Sequence, residues 1–140
     1  MILADSGFWV ALMSQRDKHH EQAQRAAQEH AGETLISTWP VLCEATYLIG
    51  ERIAPEQRIL FLRRVADGAC ELHALTSESL ERMAMLMHKY RDREMDLADA
   101  SLVLLAEDLG EGRILTTDED DFLTYRWRKT KPFQNLLVSG

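Results

Sequence analysis

Short apolar runs alternate with longer stretches in which apolar residues recur every three or four positions, over most of the chain. Residues 2–5 read as a short buried strand. Residues 7–14 and 18–31 read as helices separated by polar residues. Residues 34–38 form a second predicted strand. Pro40 suits the first turn of a helix running to about Gly50, a glycine that suits a C-terminal stop. Pro55 opens another helix, to about Asp67. Residues 70–75 form a third strand. Thr76-Ser77-Glu78 then caps a helix to about Tyr90. A further helix starts near Leu97 and ends before Gly110. Residues 113–117 and 133–138 complete the set as fourth and fifth strands.

The strands are continuous apolar runs, so both of their faces are expected to be covered. Alternating strands and helices of this kind predict an α/β fold: a three-layer α/β/α sandwich around a mostly parallel, about five-stranded sheet. No repeat, low-complexity stretch or long linker interrupts the pattern, so residues 1–140 are expected to form a single domain. In such sheets ligands bind beyond the carboxyl ends of the strands. Residues at those ends are therefore the first candidates for chemistry.

Composition narrows the classes. A chain of 140 residues with 46% hydrophobic residues can fill one core. No apolar run is long enough to span a bilayer, and no basic stretch with a long apolar one opens the chain. A cytoplasmic protein with no membrane partner is expected. The net charge of −7 argues against a general nucleic-acid coat protein. It leaves a nuclease open, because carboxylates that hold metal ions count as negative charge in a sequence. Cys43 and Cys70 stand in apolar stretches and read as reduced core thiols; a disulfide framework or zinc site needs more cysteines at closer spacing.

Four carboxylates stand in costly places. Asp5 follows the first predicted strand and Asp118 the fourth, so both should lie at the carboxyl edge of the sheet. Each reads equally as a turn or helix-cap aspartate. Glu44 has Pro40, Val41, Tyr47 and Leu48 at three and four residues' distance, which puts it on an inward helix face. A buried carboxylate there needs a metal, a cation or several donors. Asp99, in the first turn of its helix, has Leu102 and Val103 as inward neighbours. Asp96, three residues earlier, reads as an N-cap or a further ligand. If the sheet is wound as predicted, the four converge. Like charges at close range raise one another's pKa, so such a pocket requires cations. Oxygen-only ligation selects Mg²⁺ or Mn²⁺, ions that serve phosphoryl chemistry.

Four segments carry a resemblance to a known family: Leu3-Ala4-Asp5-Ser6, Val41-Leu42-Cys43-Glu44-Ala45-Thr46-Tyr47-Leu48-Ile49, Met95-Asp96-Leu97-Ala98-Asp99-Ala100-Ser101-Leu102, and Leu115-Thr116-Thr117-Asp118-Glu119-Asp120-Asp121-Phe122. In order and spacing the chain resembles a PIN domain, of the VapC toxin type, over nearly its whole length. The resemblance implies a Mg²⁺- or Mn²⁺-dependent RNA endonuclease. It maps the family's acidic positions onto Asp5, Glu44, Asp99 and Asp118, accessory acids onto Asp96 and Asp121, and a site-edge hydroxyl onto Thr116, with Ser6 where small hydroxyl residues are usual; Ser6 and Thr116 are then candidate substrate contacts. It also implies a homodimer held inactive by a protein antitoxin whose tail fills the acidic groove.

Other features are weighed beside these. Tyr125-Arg126-Trp127-Arg128-Lys129-Thr130-Lys131 interleaves aromatics with cations. It reads either as an RNA contact through Arg126, Arg128 and Lys129 with some stacking, or as an exposed loop before the last strand. His19 and His20 are adjacent, do not face each other on a helix, and read as locally structural. Phe8, Trp9, Trp39 and Tyr47 read mostly as core, with some left to line a trench for an antitoxin helix or a second copy. A receiver-like signalling module and a non-catalytic binding subunit are the alternatives. Lys131 precedes the fifth strand and so stands in the wrong place for a receiver's lysine.

Overall fold

The computed structural model describes residues 1–137. Its strands are β1 (Ile2–Ala4), β2 (Leu35–Thr38), β3 (Glu71–His73), β4 (Arg113–Leu115), β5 (Arg126–Trp127), β6 (Lys131–Pro132) and β7 (Gln134–Asn135). Five of them form one sheet in the order β3-β2-β1-β4-β7, every pairing parallel. β5 and β6 pair antiparallel in a separate hairpin. The helices are α1 (Ser6–Met13), α2 (His20–Glu29), α3 (Trp39–Arg52), α4 (Pro55–Arg64), α5 (Ser79–Lys89), α6 (Leu97–Leu109) and α7 (Glu119–Thr124).

Strand alternation sorts the core into two layers. Leu3 stands in register with Ile36 on one side and Ile114 on the other, and all three belong to the cluster packed under α5 and α6. Ile2, Ala4 and Leu115 face the opposite way, into the cluster with α1, α2, α3 and α4. The central strands β1, β2 and β4 are thus mostly covered on both faces, while the edge strands β3 and β7 are partly exposed. Each such leucine or isoleucine, when fully buried, contributes about 1.5–3 kcal/mol. The α/β three-layer architecture expected from the sequence is the one observed. No helix of the described residues is long and apolar enough to cross a membrane.

Several boundaries differ for local reasons. α2 starts at His20 because residues 17–19 form a turn in which Asp17 Oδ1 accepts from the His19 amide at 2.8 Å. α3 runs through Gly50 to Arg52, so that glycine is no helix stop. A Cβ there would meet Arg58 Cδ at 2.6 Å, so glycine lets α4 approach. None of Thr76, Ser77 and Glu78 caps α5 through its side chain. The fifth sheet strand is two residues long where the sequence suggested six, and Val138 lies outside the described residues. Beyond β7 the Asn135 side chain continues the ladder: Nδ2 donates to Thr116 O at 3.0 Å and Oδ1 accepts from Leu137 N at 3.1 Å.

Candidate active site

β1 lies between β2 and β4, and the chain winds outward from it in both directions. The carboxyl ends of β1 and β4 therefore flank a topological switch point, where open α/β sheets bind ligands. Asp5 follows β1, and its amide continues the ladder to Leu115 O at 3.0 Å. Thr116 follows β4, and its hydroxyl joins the two ends. It donates to Asp5 Oδ2 at 2.8 Å, and its oxygen accepts from the Asp118 amide at 2.9 Å. Asp5 Oδ1 accepts from the Ser6 amide at 2.7 Å as N-cap of α1. Asp5 is only 5% exposed.

Two more helices begin at the same edge. Asp96 is the N-cap of α6, its Oδ1 accepting from the Asp99 amide at 2.8 Å. Asp118 is the N-cap of α7, its Oδ1 accepting from the Asp121 amide at 3.3 Å. Asp5, Asp96 and Asp118 are thus all N-caps, and the positive ends of three helix dipoles face one acidic pocket. Cap and site readings coincide here, because the cap bond itself takes up only one carboxylate oxygen; in Asp5 the second accepts from Thr116. Carboxylate oxygens of Asp99, Asp118 and Asp121 lie within 4.8 Å of one another. Glu44 enters from α3, where its Oε1 accepts from the Ser6 hydroxyl.

Electrostatics tie these acids together. Asp5 is pushed up to about 6, chiefly by burial; Thr116 and the Ser6 amide pull it down, and Glu44 and Asp118 raise it further. Asp99 is pushed up to about 8 by burial and by the charges of Asp5 and Asp96. Asp118 is pushed up to about 6 by burial and by Asp121 beside it. Glu44 is raised by burial and by Asp96. Charge thus links Asp5 to Glu44 and Asp118, and Asp99 to Asp5, Asp96 and Asp118, while the acids near enough to share one cation among the described residues are Asp99, Asp118 and Asp121, without Asp5 and Glu44. Two residues outside the sequence expectation touch these acids. Buried Tyr125 donates its hydroxyl to Asp99 Oδ2 at 2.8 Å. Arg93 Nη1 pairs with Asp121 at 3.2 Å and Asp120 at 3.0 Å.

The donor set fits a hard divalent cation. Every group is a carboxylate, most are held by hydrogen bonds on one oxygen, and no lysine or arginine hydrogen-bonds Asp5, Asp99 or Asp118 among the described residues. A cation is what such a set lacks, since close carboxylates cannot all ionise without one.

Several expectations require correction. Ser6 and Thr116 were candidates for substrate contact, but they are 5% and 0% exposed and spend their hydroxyls on Glu44 and Asp5. Glu44 is half-buried at the edge of its helix face; the inward residues of α3 are Val41, Leu42, Ala45 and Ile49, and Tyr47 is 64% exposed. The segment 125–131 is a hairpin, and Tyr125 and Trp127 are core residues unable to stack on bases. Arg126 turns its guanidinium to the carbonyls of Leu123, Thr124 and Tyr125. Arg128 caps α6 at Glu107 O, and Lys129 is exposed at the hairpin turn. Cys43 is exposed, contrary to the core-thiol reading, while Cys70 is buried with its thiol pushed up to about 12. Phe8 and Trp9 are core, and Trp39 is exposed in a groove with Tyr47, Leu42 and Leu62. His20 Nδ1 meets Ala11 O at 2.7 Å, the local structural role expected.

Comparisons with known proteins bear on the fold and the family. The chain is 27% identical over 125 residues to ribonuclease VapC26 of Mycobacterium tuberculosis strain H37Rv, spanning 89% of this chain and 92% of that protein. Its fold is similar to the crystal structure of VapC20 of Mycobacterium tuberculosis, described as a sarcin-ricin loop cleaving toxin. The TM-score is 0.76 and the identity 20%, over 86% of this chain and 92% of that one. The sequence model of the PIN domain matches residues 2–127, every acidic position above among them, and the chain belongs to the PIN domain family.

Proposed function

We propose that this protein is a Mg²⁺- or Mn²⁺-dependent endoribonuclease, the toxin of a toxin–antitoxin pair. The observation that carries the reading is the convergence of Asp5, Asp99 and Asp118, each raised well above the ordinary carboxylate range by burial and by neighbouring carboxylates. The relatives named as a ribonuclease and as an RNA-loop-cleaving toxin support RNA as substrate. Asp5, Asp99 and Asp118 would hold the ion, with Glu44 ligating it or orienting a water, and Asp96 and Asp121 assisting. When bound, the ion would supply an activated water and stabilise the attacking and leaving oxygens of the phosphodiester.

The chain's own contribution is positional. Thr116 fixes Asp5 against the start of α7, Tyr125 fixes Asp99, and Ser6 links Glu44 to the first turn of α1. These bonds hold the carboxylates in place without rotamer searching, the preorganisation that catalysis rewards; Asp5, both of whose oxygens already accept a hydrogen bond, would ligate through its remaining lone pairs. Glu44 is the residue free to accept a proton from water, being half-exposed and less constrained than Asp5.

A protein antitoxin, a homodimer, a single domain over residues 1–140 and a cytoplasmic setting complete the proposal. The test is cleavage of a labelled RNA. Wild type should cleave with Mg²⁺ or Mn²⁺ and stop on chelation. Cleavage that persists at full rate in chelator ends the metal-dependent reading.

A further inference from the structure

A groove of about 390 Å³ opens between α5, the C-terminal half of α6 and the β5–β6 hairpin. Its floor is Met85 and Leu86. Its rim carries Arg82, Lys89, Arg126 and Lys129 against one carboxylate, Glu107. This is a local excess of cations on a chain whose net charge is −7.

That one carboxylate is spent. Glu107 Oε1 pairs with Arg82 at 3.2 Å, and Oε2 accepts from the Arg128 amide at 2.7 Å. Arg126 is occupied with the carbonyls that end α7. Lys89 and Lys129 remain. Among the described residues neither lies within 4 Å of a carboxylate; the Lys89 ammonium rests 5.3 Å over the Tyr90 ring. The hairpin turn that presents Lys129 holds Arg128 and Lys129 at φ 46° and 69°. Glycine or asparagine takes that left-handed backbone more easily, yet the chain carries two long cations there.

The groove shares a wall with the acidic pocket. Arg126, on its rim, donates its amide to the Tyr90 hydroxyl at 3.0 Å. Tyr90 packs edge-on against Tyr125 with ring centroids 5.0 Å apart, and Tyr125 touches Asp99. A polymer engaged at the acids and passing over this wall meets the two uncommitted lysines next.

We propose that the groove holds the sugar–phosphate backbone of single-stranded RNA flanking the cleavage site. Lys89 and Lys129 contact its phosphates, and Met85 and Leu86 lie beneath a ribose or base. The inference rests on the ribonuclease reading and deepens it by giving the path of the strand. Charge complementarity favours a polyanion, and the two-residue apolar floor is too small for the stripe of an amphipathic helix.

The test uses the full chain carrying Asp5→Asn, so that labelled single-stranded oligoribonucleotide is bound without being cut. Anisotropy is followed as KCl is raised. Lys89→Ala with Lys129→Ala should lower affinity about tenfold at low salt and reduce the log–log salt slope by about 1.4, the value for two phosphate contacts on a single strand. Arg25→Ala on α2, in the opposite layer, should change neither. Unaltered affinity and slope in the double variant overturn the groove assignment while leaving the ribonuclease reading intact. If the double variant loses self-association in sedimentation but binds RNA normally, the groove is an interface between copies and the proposal fails. A parent chain that neither cleaves nor binds RNA refutes the underlying reading itself.

Discussion

The Tyr125 hydroxyl donates to Asp99 Oδ2 at 2.8 Å from inside the core, wedged edge-on between the rings of Tyr90 and Phe122. Burial and the facing carboxylate keep that hydroxyl protonated far above neutral pH, so it is a fixed donor. It pins one oxygen of Asp99 and leaves the other to the pocket. Tyr125→Phe keeps the ring packing and removes only the donor. We expect Mn²⁺ affinity, measured by calorimetry, to fall about tenfold to a hundredfold, as for other residues that orient a ligand from behind. Stability should fall by only about 1 kcal/mol, the net worth of one hydrogen bond. Wild-type Mn²⁺ affinity in this variant would show that Asp99 needs no such support.

Asp5 is the most deeply buried member of the set, 5% exposed among like charges. Asparagine preserves its shape and can still accept from the Ser6 amide, but it removes the charge and sets a donor NH2 where Oδ2 accepted from Thr116, at the cost of about one hydrogen bond. Asp5→Asn should therefore cut RNA cleavage by at least about a hundredfold, as expected for losing several kcal/mol of metal-borne stabilisation. Without metal the variant should melt at or above the wild-type temperature. Full cleavage, or marked loss of stability, would each contradict the ligand role.

The raised carboxyls set the sign of the pH dependence. Asp5 and Asp118 titrate near 6 and Asp99 near 8 in the folded chain, against 3.8 for a free aspartate. The folded form therefore binds more protons than the unfolded one between those values. The stability that these groups contribute is complete below about pH 4 and is lost as pH rises through 6 and then 8. Moving buried Asp5 from 3.8 to about 6 corresponds to about 3 kcal/mol. In chelator the melting temperature should thus fall between pH 5 and pH 8 by several degrees, and Mn²⁺ should restore it at pH 8. A melting temperature that holds level across this range in chelator would mean that the acids do not repel one another as described.

The layered fold and its acidic set were legible for a definite reason. Buried parallel strands leave unbroken apolar runs, and acids at the ends of such runs, as Asp5 and Asp118 are, need no tertiary knowledge to be noticed. Tyr125 and Arg93 were not legible, because what joins them to the pocket is contact across long sequence separations with Asp99 and Asp121. α7 is six residues long, too short to show a helical period. The hairpin was missed because its strands are two residues each and its turn holds arginine and lysine rather than glycine. Tyr47 misled the reading of Glu44, since helical spacing alone placed an exposed tyrosine on the inward face.

Gly7 makes the last relationship that the site depends on. A Cβ at this position would meet Thr117 Oγ1 at 1.9 Å, Cβ at 3.1 Å and Cγ2 at 3.3 Å. Rotation of Thr117 relieves the first of these contacts. It cannot relieve the second, which belongs to the threonine's own Cβ. Gly7 lies two residues after Asp5 in the first turn of α1, and Thr117 directly precedes Asp118. An alanine therefore forces apart the two segments that bring these acids together. Gly7→Ala should cost about 1–3 kcal/mol, as overpacking does. Because the strain falls on the Asp5–Asp118 spacing, it should lower Mn²⁺ affinity and cleavage about tenfold or more, since small misplacements of reacting groups are costly. Thr117→Gly removes the obstructing atoms, so the double variant should recover Mn²⁺ affinity that Gly7→Ala lacks. A double-mutant cycle measured on both melting temperature and Mn²⁺ binding reads the coupling directly. Additive effects of the two substitutions would show that α1 and the β4–α7 loop do not bear on each other at this point.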